Sequence, residues 1–272
     1  VRKYFRDGPL GRITPDDISR YQQQRVGQGI SGRTVNMEVS VLRKMLKKAK
    51  RWALMAEDVR MYPETSHIGQ ALTEEDKIRL FDTAKSNSRW MVAYRAAVLA
   101  ASTTCRGVEL KHLMWRDIDW SNHTVRVNRS KNESGKRTIP LNEDALDALQ
   151  RLWERAEAVG SNEPEHYVFP ACENNHIDPT QPQKSWTSAW RSLTKAAGLK
   201  GFRFHDLRHT AITELAEAGT SDATLKALAG HITTEMMELY SHVRMNAKRE
   251  AVSVLSVGLR KKKAEASGPK AA

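Results

Sequence analysis

Cysteine is nearly absent: Cys105 and Cys172 are the only two in a chain of 272 residues. That excludes a disulfide framework or a cysteine-rich zinc site and suits a reducing compartment. No apolar run approaches the ~18 residues that a membrane-spanning helix needs, and no signal-like apolar segment opens the chain. It therefore reads as soluble, with no membrane partner. Several enzyme signatures are also missing. The Gly135-Lys136 pair has Ser130 where a phosphate-binding loop needs its earlier glycine, and Arg137 where it needs Ser or Thr. There is no His-Glu-x-x-His and no Cys-x-x-Cys. Asp117 and Asp119 flank a hairpin without a third carboxylate, too few ligands for a two-metal nuclease. Acids are outnumbered, 32 against 44 lysines and arginines, for a net charge of +12. What remains is a basic chain with 40% hydrophobic residues, able to build a core and to attract a polyanion. Nucleic acid is the first candidate.

The charge is uneven. Residues 1–70 hold 14 Lys/Arg against 7 Asp/Glu, a quarter of the chain carrying more than half of the excess. Thr14-Pro15-Asp16-Asp17 combines a cap, a proline at the first helical position and two acids, predicting a helix to about Val26. Ser31 caps a longer one reaching to about Leu54. On it Leu42, Met45, Leu46, Ala49 and Trp52 share an arc of roughly 120°, the expected core face. Arg43, Lys44, Lys47, Lys48, Lys50 and Arg51 fill the opposite arc with no acid among them. With Arg33 near the helix start, Arg43, Lys44, Lys47, Lys48 and Arg51 are the candidate DNA-binding residues, a surface for tracking phosphates. Tyr62 to Gln70 lacks periodicity and reads as a linker, and Thr73-Glu74-Glu75-Asp76 begins a new helix. The expected domains are a helical one at 1–68, a larger one at 69–258 and a basic flexible tail at 259–272.

In the larger domain, helical patterns cover about 73–86, 89–102, 106–114, 142–158, 184–197, 205–218, 221–229 and 233–239. Among them lie three short strand patterns, 117–120, 124–127 and 137–139, joined by a Ser121-Asn122 turn and a Glu133-Ser134-Gly135 turn. The expected fold class is mainly α with a small antiparallel β-sheet.

His205-Asp206-Leu207-Arg208-His209-Thr210 opens a helix whose apolar stripe is Leu207, Ala211, Leu215 and Ala218. His205 and Arg208 stand at i and i+3, so they leave the first turn together, where a helix N-terminus favours an anion. Gly230-His231 lies in a turn, and Tyr240 follows nine residues later. Each of these alone is commonplace, since a single histidine or tyrosine more often fills a core or a surface. Joined with Arg106 and Lys131, the order Arg, Lys, His-x-x-Arg, His, Tyr resembles that of the tyrosine recombinases, the phage integrase family. The segments that carry the likeness are Thr103-Thr104-Cys105-Arg106-Gly107-Val108-Glu109-Leu110, Lys131 between strands, His205 to Thr210, Gly230-His231 and Leu239-Tyr240-Ser241-His242-Val243. They span roughly 72–258, and residues 10–60 resemble the family's helical core-binding domain.

The resemblance implies a site-specific DNA recombinase that breaks and rejoins strands through a 3′-phosphotyrosine, without metal, ATP or other cofactor. Tyr240 would be the nucleophile, and Arg106 and Arg208 would clamp the non-bridging phosphate oxygens bidentately. Lys131 would protonate the leaving 5′ oxygen. His205 would act as base or hydrogen-bond partner, with His231 as a second donor to the phosphate. Glu109, one turn after Arg106, would orient a neighbouring catalytic group. The implied partners are double-stranded DNA gripped between the two domains, a homotetramer joining two sites and an accessory DNA-bending protein. The implied setting is the nucleoid of a bacterial cytoplasm. Integration or excision of a mobile element is the favoured role. A type IB topoisomerase and a catalytically inactive DNA-binding relative are the alternatives. The chain departs from the family at Thr104 (usually glycine), Ala229 (usually leucine) and Ile232-Thr233 (commonly Ser-Ser). It opens at Val1 without an initiator methionine, so residues are expected to precede it, with room for an arm-binding domain.

Overall fold

The computed structural model describes residues 1–5, 8–64, 69–128, 136–174, 176–230, 232, 249 and 252. The chain divides into two compact units, Val1–Ile68 and Gly69–Ala272. The first unit is helical: α1 (Arg2–Phe5), α2 (Pro15–Gly27) and α3 (Gly32–Lys48). Thr14 and Asp17 cap α2 reciprocally, and Ser31 caps α3 through the Thr34 N–H. Ile18, Tyr21, Val35, Val39, Leu42, Leu46 and Trp52 form its core. Glu38 receives Arg25 at 2.7 Å and the Tyr21 hydroxyl at 2.8 Å, which ties α2 to α3.

The expected helix to Leu54 is too long. It ends at Lys48, because Lys50 takes a left-handed φ of 56° and the chain re-enters as a 3-10 turn over Trp52–Leu54. The expected core face is also misplaced at Met45 and Ala49, which are exposed together with Met37 and Val41. Of the candidate cations, Arg33, Lys44 and Lys48 share the exposed arc with Met37 and Val41, all five within about 80° at helical spacing. Arg51 is off the helix and donates to the Gly11 carbonyl at 3.2 Å, while Arg43 lies 5.3 Å over the Trp52 ring.

The second unit contains α4 (Glu74–Lys85), α5 (Met91–Thr103), α6 (Gly107–Lys111), α7 (Glu143–Ala158), α8 (Thr187–Ala196), α9 (Asp206–Glu217) and α10 (Asp222–Ala229). Strands β1 (Ile118–Asp119), β2 (Thr124–Val127) and β3 (Arg137–Pro140) pair antiparallel in that order, with Val125 opposite Ile139. The buried helix α5, rich in alanine, lies at the centre of a core that includes Leu99, Leu149, Leu152, Leu193 and Leu207. Helix α6 is shorter than the expected 106–114, and β1 is shorter than its pattern because Asp117 turns back to accept the Met114 N–H at 3.0 Å. A second hairpin, β4 (Pro170–Glu173) with β5 (His176–Pro182), was not anticipated. Its prolines and its many polar, partly exposed side chains give no apolar alternation. On α9 the stripe turns to Ala216 instead of Ala218. The 233–239 pattern and the tail lie outside the described residues. Among the described residues no helix is long and apolar enough to cross a membrane.

The segment read as a linker from Tyr62 is instead anchored at its start. The buried Asn36 amide donates to the Tyr62 carbonyl at 2.9 Å and to Glu64 at 2.8 Å, and accepts the Tyr62 N–H at 2.9 Å. Asn36→Ala leaves these groups without their partner and is expected to cost about 2 kcal/mol in urea unfolding, with proteolytic nicking appearing at 60–64. An unchanged midpoint and an uncut segment would show that the anchor contributes nothing.

Candidate active site

Arg106 and Arg208 stand 102 positions apart in the chain, and the fold brings them to one place. Helix α5 ends at Thr103 and is capped by Thr104, a β-branched residue in the left-handed region at φ 56°. The chain turns there, and Arg106 caps α6. The Glu109 carboxylate reaches back to the Arg106 backbone N–H at 2.8 Å and also receives its guanidinium at 2.8 Å. Gly107 follows because α6 starts hard against Phe204, where a Cβ would sit 3.2 Å from the ring. Phe204 in turn packs on Trp186 and Trp190, with ring centroids 4.8 and 5.1 Å away. This aromatic stack sets His205, the next residue and the cap position of α9, beside the start of α6.

From the first turn of α9, Arg208 points inward and is 2% exposed. Its Nη2 donates to the Ala229 carbonyl at 2.8 Å and its Nη1 to the Thr104 carbonyl. Both terminal nitrogens grip the ends of α5 and α10 through backbone carbonyls. Burial, with Arg106 nearby as the next cause, lowers its pKa to about 10, which leaves it cationic at neutral pH. The Asp206 carboxylate, buried beside it, accepts the Arg203 N–H at 2.8 Å and the Arg203 guanidinium at 2.7 Å.

A third arginine joins the cluster. Arg137, the first residue of β3, is 6% exposed and donates to Glu109 at 2.9 and 3.3 Å. Burial alone would raise the Glu109 carboxyl. The hydrogen bonds from Arg137 and from the Arg106 N–H outweigh it and hold the carboxyl below its ordinary value. Among the described residues three guanidiniums meet one carboxylate, a concentration of positive charge suited to an anion that gains charge. The pKa of His205 is lowered by the surrounding protein and then by His209 and Arg208. The ring reaches the surface, where water offsets part of the depression, and the direction keeps it neutral at pH 7. His209, whose ring centroid is 5.2 Å from that of His205, is depressed too, chiefly by burial.

Arg106, Glu109, His205 and Arg208 therefore converge. Lys131, His231 and Tyr240 lie outside the described residues. Sequence reasoning missed Arg137. Its signal was strand parity: Arg137 shares the covered face with Ile139, so it needs a buried counter-charge. Asp117 and Asp119 cap turns, as the Asn122 bonds to Asp119 show. Among the described residues no three His, Cys, Asp or Glu side chains form a group that could hold a metal ion.

The two depressed histidines give a pH signature. The unfolded chain takes up protons below about 6.5, while the folded chain resists them, so stability falls as pH drops through that value. Glu109 adds a separate loss of stability below about 4.5, the ordinary carboxylate range. Urea midpoints measured from pH 7 to pH 5 should decline, and His205→Asn with His209→Asn should flatten that slope. An equal slope in the double variant would contradict the assignment.

The model of the phage integrase family matches residues 70–247. The shufflon-specific DNA recombinase of Escherichia coli is 27% identical over 249 residues, which is 86% of this chain and 59% of that protein. The tyrosine recombinase XerC of a Mycobacterium species is 26% identical over 243 residues, 86% of this chain and 80% of that protein. Among solved structures, the Tn1549 transposon integrase in complex with a circular intermediate DNA superposes with a TM-score of 0.70 at 20% identity. That match covers 94% of this chain and 90% of the other, and it shows a shared fold. The chain spans less than two thirds of the length of the shufflon recombinase.

Proposed function

The chain belongs to the phage integrase family of tyrosine recombinases, and on that footing we propose that it recombines DNA site-specifically through a 3′-phosphotyrosine. The observation that carries this reading is the convergence of Arg106 and Arg208 on one buried cationic cluster, with a neutral His205 at its rim. The Tyr240 hydroxyl attacks the scissile phosphorus, forming the O–P bond as the bond to the 5′ oxygen breaks. The phenolic proton, held at a pKa of about 10 in the free side chain, must leave as the bond forms. His205 is the group assigned to accept it, and Lys131 returns a proton to the 5′ oxygen. Arg106 and Arg208, with His231, stabilise the charge gained by the non-bridging oxygens. Rejoining reverses these steps with another 5′-hydroxyl and conserves the phosphodiester's energy, so neither ATP nor metal is required.

The substrate is duplex DNA, and the helical unit 1–68 binds its phosphates through Arg33, Lys44 and Lys48 on α3, with Lys47 beside them. The catalytic domain occupies 69–258, followed by a basic tail. The working assembly is a homotetramer on two sites, aided by a DNA-bending protein, within the bacterial nucleoid. Integration or excision of a mobile element is the role we assign. The family likeness and the DNA-bound integrase among the structural relatives support the DNA partner.

Covalent capture tests the chemistry. Incubated in EDTA with supercoiled DNA carrying its own genomic flanks, the protein should yield a nucleotide adduct on the peptide containing Tyr240. Tyr240→Phe should bind DNA and give none, and Arg106→Ala should slow adduct formation by about 10²–10³-fold. Cleavage surviving in Tyr240→Phe removes that residue as nucleophile. Recombinant junctions, in place of supercoil relaxation alone, separate a recombinase from a topoisomerase.

A second measurement addresses α3. Changing Arg33, Lys44 and Lys48 to alanine should flatten the dependence of log Kd on log salt by about 0.9 for each phosphate no longer neutralised. Arg51→Ala, whose guanidinium already serves Gly11, should leave the slope as it is. A slope unaltered by the triple change would return that face to ordinary solvent.

A further inference from the structure

The geometry points to Arg137 as a positioning residue that holds Arg106, through Glu109, in register with the end of α10 that leads to His231. This assignment rests on the recombinase reading above. Arg137 occupies the first position of β3 and follows Lys131 closely in the chain. Its guanidinium works in two directions. The Nη1 and Nη2 atoms face both oxygens of Glu109, the same carboxylate that fixes the backbone and side chain of Arg106. Its Nε donates at 2.6 Å to the Leu228 carbonyl in the last turn of α10, which also accepts the Thr104 hydroxyl at 3.0 Å.

The next step of the chain is shaped around the same group. Gly230 has φ 70° and ψ −135°, and a Cβ there would lie 3.2 Å from Arg137 Nη1. The backbone just before His231 is thus laid over the Arg137 guanidinium by a residue without a side chain. Arg208 holds the adjoining Ala229 carbonyl, so the end of α10 is gripped by two arginines that are both almost fully buried. Arg137, at 6% exposure, is withdrawn where Arg106, at 29%, is accessible. A withdrawn cation that bridges the supports of two phosphate-facing segments acts on their spacing, and does not itself touch the duplex.

Loss of such a bridge misplaces reacting groups without removing any of them. With the full chain and a nicked DNA that traps the covalent adduct, Arg137→Gln should slow adduct formation at saturating DNA by about 10²-fold while Kd moves less than about 3-fold. Arg137→Lys should recover part of the rate, since an ammonium can pair with Glu109 but cannot span Glu109 and Leu228 together. The Arg137→Gln/Glu109→Gln pair should be no slower than its slower single variant, as expected of groups acting in one chain of contacts. A Kd that weakens in step with the rate would overturn the assignment, as would a wild-type rate in Arg137→Gln or fully multiplicative losses in the pair. If Arg137→Gln does not fold, Arg137→Lys keeps the charge and is judged by the same split between rate and Kd. A wild-type protein that forms no adduct overturns the recombinase reading and this assignment with it. Normal wild-type adduct with unaffected variants overturns the positioning role alone.

Discussion

The Glu109 carboxylate is 4% exposed, and a buried charge is tolerated only where partners replace its water. Arg106 and Arg137 supply them. Removing either would strip the carboxylate of one of its two counter-charges, and breaking a buried pair costs up to about 3–5 kcal/mol. That constraint fixes more than an ion pair. The carboxylate closes the first turn of α6 through the Arg106 N–H, so the five-residue helix has its start set by the same oxygens that orient the arginines. With α6 in place, Gly107 meets Phe204, and Phe204 sets the entry to α9. The local order of the site follows from satisfying one buried anion.

Helix ends do the complementary work. The C-terminal carbonyls of α5 and α10 carry partial negative charge and lack intrahelical donors. Arg208 and Arg137 satisfy Thr104, Leu228 and Ala229 among them. This explains how arginine side chains can be buried without a carboxylate for each: backbone dipoles take part of the load. It also accounts for Thr104 where the family usually has glycine. A left-handed threonine is strained, on the order of 1–2 kcal/mol. Its hydroxyl bond to Leu228 offsets part of that cost and joins the two helix ends directly.

The parts of the fold written in short-range chemistry were legible. Thr14, Ser31 and Thr73 announce helix starts as caps, and α2, α3 and α4 begin where those signals stand. Strand alternation located β2 and β3. What escaped depends on contacts distant in sequence or on backbone turns without a composition signal. Lys50 in the left-handed region ends α3 although the apolar spacing continues through Trp52. Met45 sits one step off the core face because Val35 and Val39 draw the helix round. The hairpin at 170–182 pairs strands that carry prolines and no apolar alternation. In the site, Arg106, Glu109, His205 and Arg208 stood in motifs and come together, whereas Arg137 was passed over, since its partners Glu109 and Leu228 stand 28 and 91 positions away.

Exposure grades across the cluster in a way that suits a phosphate arriving from one side. Arg208 and Arg137 are sealed and engaged by backbone and carboxylate, Arg106 is partly accessible, and His205 stands at the rim. Charges that are already desolvated and fixed need little rearrangement when an anion arrives, so their field acts at full strength on the charge that develops later. Burial is the main cause of the neutrality of His205 and His209 the next, and the field of Arg208 and then Arg106 adds to both. A neutral imidazole can accept a proton where an imidazolium could not. The arginine cluster thereby concentrates positive charge and reinforces the protonation state that burial gives the histidine at its edge.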